Sequence, residues 1–246
     1  MNTPDVTENE MSRRYLRLVL QWVPVGMECY NDWPVRPDCG HFFGGVLWYG
    51  QETAMTAAAL AVAAASPEYD EALAAIRADE LKQVCRAAVR YLCFTHDTGP
   101  EDCVRPEKSW GREEPAGTKW GERGRGFFPE SQCGRTILYL SLAAAHLGDV
   151  LGDEERTMLR AIAEDYMERF EEMEPRAGQY YDTQMEENAW TAEGIAACTC
   201  LLPDHPRVEH WRERCRLWAF RAATVPEDAH DTREFADGRT VRELCG

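Results

Sequence analysis

The sequence predicts an all-α protein built from αα-hairpins that are arranged as an incomplete (α/α) toroid. Three observations lead to this fold class. Helical tracts that are apolar on nearly all sides alternate with amphipathic tracts, as inner and outer helices do in a toroid of αα-hairpins. The links after the apolar tracts are short, whereas the links before them are long. Apart from short runs around 44–49, no strand pattern competes with the helical interpretation.

The first half of the chain supplies one amphipathic helix and the first hairpin. Residues 8–22 are predicted to form an amphipathic helix. Its expected apolar stripe contains Tyr15, Leu16, Val19 and Trp22. Residues 51–65 (QETAMTAAALAVAAA) are apolar on nearly all sides and predict a buried helix. Residues 68–94 return to an amphipathic pattern. The residues expected to face inward there are Leu73, Ile76, Leu81, Val84, Ala88 and Leu92.

Two further hairpins follow in the second half. Residues 132–148 contain the apolar run ILYLSLAAA and predict a buried helix, and residues 153–173 predict an amphipathic one. The expected inward side chains of the latter are Leu159, Ile162, Tyr166 and Phe170. Residues 183–202 form the third buried tract, and residues 206–224 form an amphipathic tract that Pro206 opens at a helix-start position.

The link lengths predict where the loops gather. The short links are Ser66-Pro67, 148–152 and 203–205, and the long links are 23–50, 95–131 and 174–182. Because every long link leads into a buried helix, the long loops are expected at the end of the bundle where these helices begin. The positive poles of the helix dipoles meet at the same end, so it is a natural place for an anion.

The number of hairpins limits the architecture. Three hairpins and one additional helix are too few for a closed ring of six hairpins, so residues 1–225 are interpreted as a partial toroid domain. Residues 226–246 are polar, acidic and poorly periodic, and predict an irregular tail. We therefore expect the chain to be either a partial toroid or the front part of a longer protein.

Charge and cysteine content restrict the partners and the compartment. The formal charge of −16 without any basic block argues against nucleic acid and anionic membranes as partners. The N-terminus lacks the pattern of a signal peptide, and no apolar run reaches membrane-spanning length, which favours a cytoplasmic location. The ten cysteines are accordingly expected to be thiols. No C-x-x-C spacing occurs, so neither a metal nor another cofactor is expected.

The stretch 179–206 carries the strongest functional signal, because a polar and aromatic segment opens a helix that then becomes wholly apolar. Thr183 and Glu186 have the spacing of a capping box. Helical spacing then places Gln184, Glu187, Asn188 and Thr191 on one face, whereas Trp190 points away. Glu186 is explained as a helix cap, and Trp190 as core or cavity wall. The side-chain amide of Asn188 has no local capping role, and left unpaired in a buried helix it would cost about 1–3 kcal/mol. Asn188 is therefore a candidate site residue.

The long loops bring aromatic and basic residues to the same end. Aromatic rings in Gly-rich loops over a helix-lined cup suit stacking on sugar rings; the alternative is that they act as plugs that close the end of the bundle. The loop residues in question are His41, Trp48, Trp110, Trp120, Arg123, Arg125, Tyr180 and Tyr181. The complete set of expected substrate-binding residues is Trp48, Glu52, Trp110, Trp120, Arg123, Arg125, Gln184, Glu187 and Trp190.

Two motif groups, RPDCGHFFGG with WYGQETA and YYDTQMEENAWTAEGIAA with LLPDHP, resemble the (α/α) toroid domain of heparinase II/III-like proteins and related polysaccharide lyases. The resemblance extends from about Trp33 to the C-terminus. It implies cleavage of uronic-acid glycans by β-elimination, and a β-rich domain after the toroid. It also implies that Asn188 neutralises the uronate carboxylate, that Tyr180 or Tyr181 is the catalytic phenol, and that His41 is a second base or a binding group.

Two other functions remain open at the level of sequence. A glycoside hydrolase on the same type of toroid would use a pair of carboxylates. The acidic residues available for this are Glu52, Asp182, Glu186 and Glu187. A non-catalytic glycan-binding or scaffold fragment is the third hypothesis, and the incomplete ring favours it. A lyase differs from a hydrolase in one simple respect, because its product is an unsaturated uronate that absorbs ultraviolet light.

Overall fold

A computed structural model describes residues 10–42, 51–104, 119–121, 129–175 and 181–223, with only the backbone described for 129–132, 181–187 and 223. This part of the chain is predominantly helical. The helices are α1 (Glu10–Glu28), α2 (Gln51–Ala65), α3 (Glu71–Ala74), α4 (Ala78–Thr95), α5 (Pro129–Leu147), α6 (Asp153–Phe170), α7 (Tyr181–Leu201) and α8 (Val208–Ala223). The strands are β1 (Tyr30–Asp32) and β2 (Gly40–Phe42), and a 3₁₀ turn spans Gly148–Val150. The tail 226–246 lies outside the described residues.

The three helices with an apolar sequence on nearly all sides form one layer, in which α5 lies between α2 and α7. We call these three helices the central layer. Helix α4 packs on α2, α8 packs on α7, and α6 contacts α4, α5 and α7. Leu60, Ile137 and Ile195 are fully buried within the layer, one from each helix. The prediction that these helices supply much of the core is confirmed, although α5 keeps an exposed edge at Leu142.

The helices of the central layer run in the same direction. Gly134 near the start of α5 packs against Gly194 of α7, whereas Ala144 near the end of α5 and Leu201 at the end of α7 line one groove. Helix α6 runs the opposite way, since Leu159 in its first half lines that groove and Tyr166 in its second half reaches Gly134. The hairpin of α5 and α6 is therefore antiparallel, as the short link predicts.

The helix predicted over 68–94 is in fact two helices. Asp70 caps α3 because its carboxylate accepts hydrogen bonds from the backbone N–H groups of Ala72 and Leu73 at 3.0 and 3.1 Å. The chain then leaves the helix at Ala75, which adopts a left-handed conformation with φ of 56°. The sequence offered no Gly or Pro at this point, so the break was missed.

The predicted apolar stripe of the first helix is half wrong. Leu16 is buried and Val19 is partly buried, but Tyr15 and Trp22 are exposed. Tyr15 and Leu16 are separated by 100° around a helix and therefore cannot face the same side. The core takes Leu16, Leu20 and Val23, and a second apolar face remains on the surface.

The loop between α1 and α2 contains a small antiparallel sheet that the sequence did not predict. Strands β1 and β2 pair Tyr30 with Phe42 and Asp32 with Gly40. Position 40 has no space for a side chain, because a Cβ placed on Gly40 would lie 2.1 Å from the Tyr30 hydroxyl. The sheet packs on α2 and α4, and it buries Phe42 completely. The residues 44–49, where the sequence suggested strand character, lie outside the described part of the chain.

The described part of the chain contains neither a disulfide nor a membrane-spanning helix. The nine described cysteines are free thiols. Burial raises the pKa of Cys85, Cys93 and Cys198 well above that of an ordinary thiol, so these three stay protonated near neutral pH. Among the described helices, none is both long enough and apolar enough to cross a bilayer.

Candidate functional site

The end at which α2, α5 and α7 begin, which we call the amino end, also receives the loops that carry His41 and Trp120. Phe42, which precedes α2, exchanges two hydrogen bonds of 3.2 Å with the hydroxyl of Thr53 in the first turn of that helix. Asp97, which follows α4, accepts a hydrogen bond of 3.0 Å from Arg169 in the last turn of α6. His41, next to Phe42, lies against Tyr91 near the end of α4, and Tyr166 near the end of α6 reaches Gly134 near the start of α5. The starts of α2 and α5 therefore lie at the same end of the molecule as the ends of α4 and α6.

His41 is part of the wall of the amino end. Its side chain on β2 is 3% exposed, and its ring lies 4.9 Å from the ring of Tyr91 on α4, which in turn contacts Trp33 at 5.2 Å. Burial lowers the pKa of His41, so the imidazole is neutral near pH 7. A neutral imidazole is able to accept a proton, but within the described structure His41 is covered by its neighbours.

Trp120 fills the amino end. The ring is fully buried, its Nε1–H donates a hydrogen bond of 2.7 Å to the carbonyl of Leu92, and it lies 4.4 Å from the ring of His96. Neighbouring Lys119 donates to the backbone carbonyls of Gly99 and Pro100 at 2.8 and 2.6 Å. This environment agrees with the alternative stated above, in which the aromatic rings close the end of the bundle instead of stacking on sugar rings. No ring face of Trp120 is available to a ligand.

A buried polar network that the sequence did not predict holds the loop after α4 against α6. The Nδ1 atom of His96 accepts the backbone N–H of Thr98 at 3.1 Å, and Nε2 lies 3.8 Å from Asp165. Arg169 bridges Asp165 at 2.9 Å and Asp97 at 3.0 Å. Burial, and then the nearby cations Arg169 and Lys119, lower the pKa of His96 to about 3. His96 is therefore a neutral structural group at physiological pH.

Asn188 and Thr191 lie on the buried face of α7, as their helical spacing predicts. Asn188 is 3% exposed and Thr191 is fully buried. The side chain of Thr191 is hydrogen-bonded to that of Tyr166 on α6, where burial raises the pKa of the phenol. The amide of Asn188 thus stands one turn before a second buried polar contact, close to the amino end of α7.

Arg135 stacks on Trp190 at the same end. The guanidinium carbon lies 4.4 Å from the centre of the indole ring, which is the geometry of a cation–π contact. The Arg135 side chain keeps an exposed fraction of 33%, and its Nε is 4.0 Å from a carboxylate oxygen of Glu193. Helical spacing predicts that Trp190 points away from the Asn188 face, whereas Arg135 was not among the residues predicted from the sequence. A charged residue among the apolar residues of α5 was the available signal.

Of the remaining predicted site residues, Glu52 is the one whose side chain the structure describes. Glu52 lies half-buried in the first turn of α2, where a negative charge is favourable to the helix dipole. The residues Trp48, Trp110, Arg123, Arg125 and Tyr180 lie outside the described residues, and so do the side chains of Tyr181, Gln184 and Glu187. Within the described ranges, no group of three or more His, Cys, Asp or Glu side chains is arranged to hold a metal ion.

A separate groove of about 410 Å³ lies at the opposite end of the helices. It runs between the ends of α5 and α7 and the first turns of α6, with Leu151, Leu159 and Leu202 in its lining. Its exposed charges, Arg156 and Arg160, already contact the Gly148 carbonyl and Glu164. None of the candidate site residues whose side chains the structure describes lines this groove. No family model matches the chain, and neither a curated protein nor a solved structure does.

Proposed function

We propose that the chain belongs to a polysaccharide lyase that cleaves uronic-acid-containing glycans by β-elimination at the amino end of the central layer. The observation that carries this proposal is the stacked pair of Arg135 and Trp190 at the amino end, where α7 also carries the buried Asn188 two residues before Trp190. It combines a partly exposed cation, an aromatic ring and an amide donor. These are the groups that a sugar carboxylate needs for binding and neutralisation.

The chemistry assigns a role to each group. β-Elimination removes the proton next to the uronate carboxylate, so negative charge develops on that carboxylate as an enolate. The Arg135 guanidinium binds the carboxylate, and the Asn188 amide donates a hydrogen bond to it as the charge grows. A tyrosine from Tyr180 and Tyr181 takes the proton and then returns one to the leaving oxygen. Because Asn188 is 3% exposed, its amide has to become accessible at the amino end of α7 before the substrate carboxylate can reach it.

We further propose that the helices form part of an (α/α) toroid. The support is the arrangement of three parallel central helices, with α4, α6 and α8 packed against them. In a toroid of this type the inner helices begin at a common end, so the amino end would form the mouth of the cup. Solution scattering would test this, since hairpins that curve as an arc of a ring have a smaller radius of gyration than the same hairpins stacked as an open solenoid.

The experiment for the activity uses the full chain with a panel of polysaccharides that differ in uronic acid and linkage. A lyase produces an unsaturated uronate, detected by ultraviolet absorbance in step with new reducing ends. We expect Asn188→Ala to lower the rate by roughly 10²–10³, comparable to the loss of one oxyanion donor. Glu186→Gln is the control, because it removes a carboxylate that a hydrolase could use while keeping the size of the side chain.

Two results would replace the proposal. New reducing ends without absorbance, together with loss of turnover in the Glu186 variant, would establish the carboxylate-based hydrolase. Binding of the glycans without any new reducing ends would establish the non-catalytic role.

A further inference from the structure

Helix α1 carries a second apolar face that the core does not use. Its residues, which we call the α1 stripe, are Met11, Tyr15, Leu18, Trp22 and Val25. Their exposed fractions are 58%, 62%, 59%, 37% and 50%. Five large exposed side chains on one helix are unusual, because surface hydrophobic residues are normally scattered singly.

The spacing of the α1 stripe is that of a helix-pairing seam. Its residues follow one another at intervals of four, three, four and three, which is the repeat that keeps one face of a helix in contact with a partner helix. The opposite face already packs on the core through Leu16, Leu20 and Val23. The helix is therefore anchored on one side and presents its seam on the other.

Trp22 lies flat along the seam. A Cβ placed on Gly26 would lie 2.8 Å from the indole ring, so the absence of a side chain at Gly26 lets the ring lie along the helix surface. A flat indole widens the apolar surface without projecting from it. A smooth apolar face of this kind suits contact with another helix.

The area of the α1 stripe suits pairing with an identical helix. The exposed fractions of its five residues correspond to roughly 500 Å² per copy, so a pair would bury about 1,000 Å², at the lower limit of a specific interface. Two copies related by a two-fold axis present the same patch to each other.

We propose that the α1 stripe is a homodimerisation surface, on which a second copy of this chain binds through its own α1 about a two-fold axis. The dimer is weak, with a dissociation constant in the micromolar range, because its interface lies at the lower size limit.

The first test is sedimentation equilibrium of the full chain over a concentration series, with Leu18→Glu as the disrupting variant. Leu18 is 59% exposed, so the substitution leaves the core untouched. We expect it to weaken dimerisation at least 100-fold. Arg17→Glu is the matched control, because Arg17 is exposed on α1 but lies off the stripe, and it should leave a dimer in place. A wild-type chain that stays monomeric at a concentration of about 100 μM would overturn the proposal. A dimer that survives Leu18→Glu would overturn it as well.

The second test is cosedimentation of the protein with phosphatidylcholine vesicles, to which we expect no binding. Binding of the monomer to phosphatidylcholine vesicles, lost in Leu18→Glu, would instead identify α1 as a membrane-surface helix and would also overturn the proposal.

Discussion

The guanidinium carbon of Arg135 on α5 lies 4.4 Å from the centre of the Trp190 ring on α7, so two helices of the central layer jointly hold one cation at the amino end. The indole supports one face of the guanidinium, and the exposed fraction of 33% leaves its donors partly open to solvent. A guanidinium held in this way is prepared to bind a planar carboxylate through two hydrogen bonds.

Arg135 is expected to determine the affinity for uronate glycans. Replacing it by Gln should raise the KM for a uronate glycan roughly 10- to 100-fold, because a charge-assisted hydrogen bond contributes about 1.5–3 kcal/mol. Replacement by Lys should recover part of the loss, since a lysine keeps the charge but not the planar fork. The measurement is steady-state kinetics at fixed ionic strength.

The control for Arg135 is Arg160→Gln, which removes the same charge from the exposed surface of α6. It should leave the KM unchanged. An equal rise in KM for both variants would mean that Arg135 acts only through the overall charge of the protein.

Glu155 is expected to be the most sensitive charged residue for stability. Its fully buried carboxylate lies 2.7 Å from both Arg86 and Arg90, and it also accepts the backbone N–H of Gly152 at 2.8 Å. Glu155→Gln should cost about 3–5 kcal/mol, because it leaves the mostly buried Arg90 without its main counter-charge. Glu154→Gln is the control. Glu154 also contacts Arg90 but is 60% exposed, so its loss should cost less than about 1 kcal/mol. Urea unfolding measures both.

The same residue should contribute to acid sensitivity. Burial alone would raise the pKa of Glu155, but the hydrogen bonds from Arg90, the backbone and Arg86 outweigh it and lower the pKa below its ordinary value. A carboxyl group with a lowered folded pKa stabilises the protein above its unfolded pKa of about 4.3, and this contribution disappears as the pH falls through the folded pKa. The loss of stability below pH 4 should therefore be smaller in Glu155→Gln than in the wild type.

His96 should control stability in a higher pH range. Its folded pKa is about 3, whereas the unfolded value is about 6.5. Between these values the unfolded chain binds a proton that the folded chain does not, so the free energy of unfolding falls as the pH is lowered from 6.5. The expected contribution between pH 6.5 and 4.5 is about 2 kcal/mol. In His96→Asn, whose amide oxygen can still accept the Thr98 N–H, the slope against pH should be shallower. An unchanged slope would contradict the burial of a neutral His96.

The crossing of α5 and α7 should not tolerate an additional methyl group. A Cβ on Gly194 would lie 2.4 Å from the Cα of Gly134 and 2.7 Å from the Tyr166 hydroxyl. Gly194→Ala should therefore destabilise the protein by about 1–3 kcal/mol, although alanine is the better helix former by about 1 kcal/mol. Thr199→Ala introduces the same residue at a half-buried position of α7 and should change stability by less than about 0.5 kcal/mol. Greater stability of Gly194→Ala would contradict the close crossing.

The existence of the helices could be predicted because it depends on local signals. The apolar composition of 51–65 predicts α2 with its observed bounds, and α7 and α8 begin within two residues of their expected starts. The candidate site was predictable only where helical spacing decides which face a residue occupies. Asn188 lies on the buried face of α7 as its spacing predicts, but its role in catalysis stays a prediction.

The sequence by itself determined that the chain is mostly helical and which of its helices are apolar on nearly all sides. Only the tertiary structure decided that Leu16 rather than Tyr15 enters the core, that Trp120 is a plug, and that Arg135 meets Trp190. The physical reason is the range of the interactions. Helix formation and its periodicity arise from residues three or four positions apart, whereas Arg135 and Trp190 are brought together by the packing of whole helices that are distant in the chain.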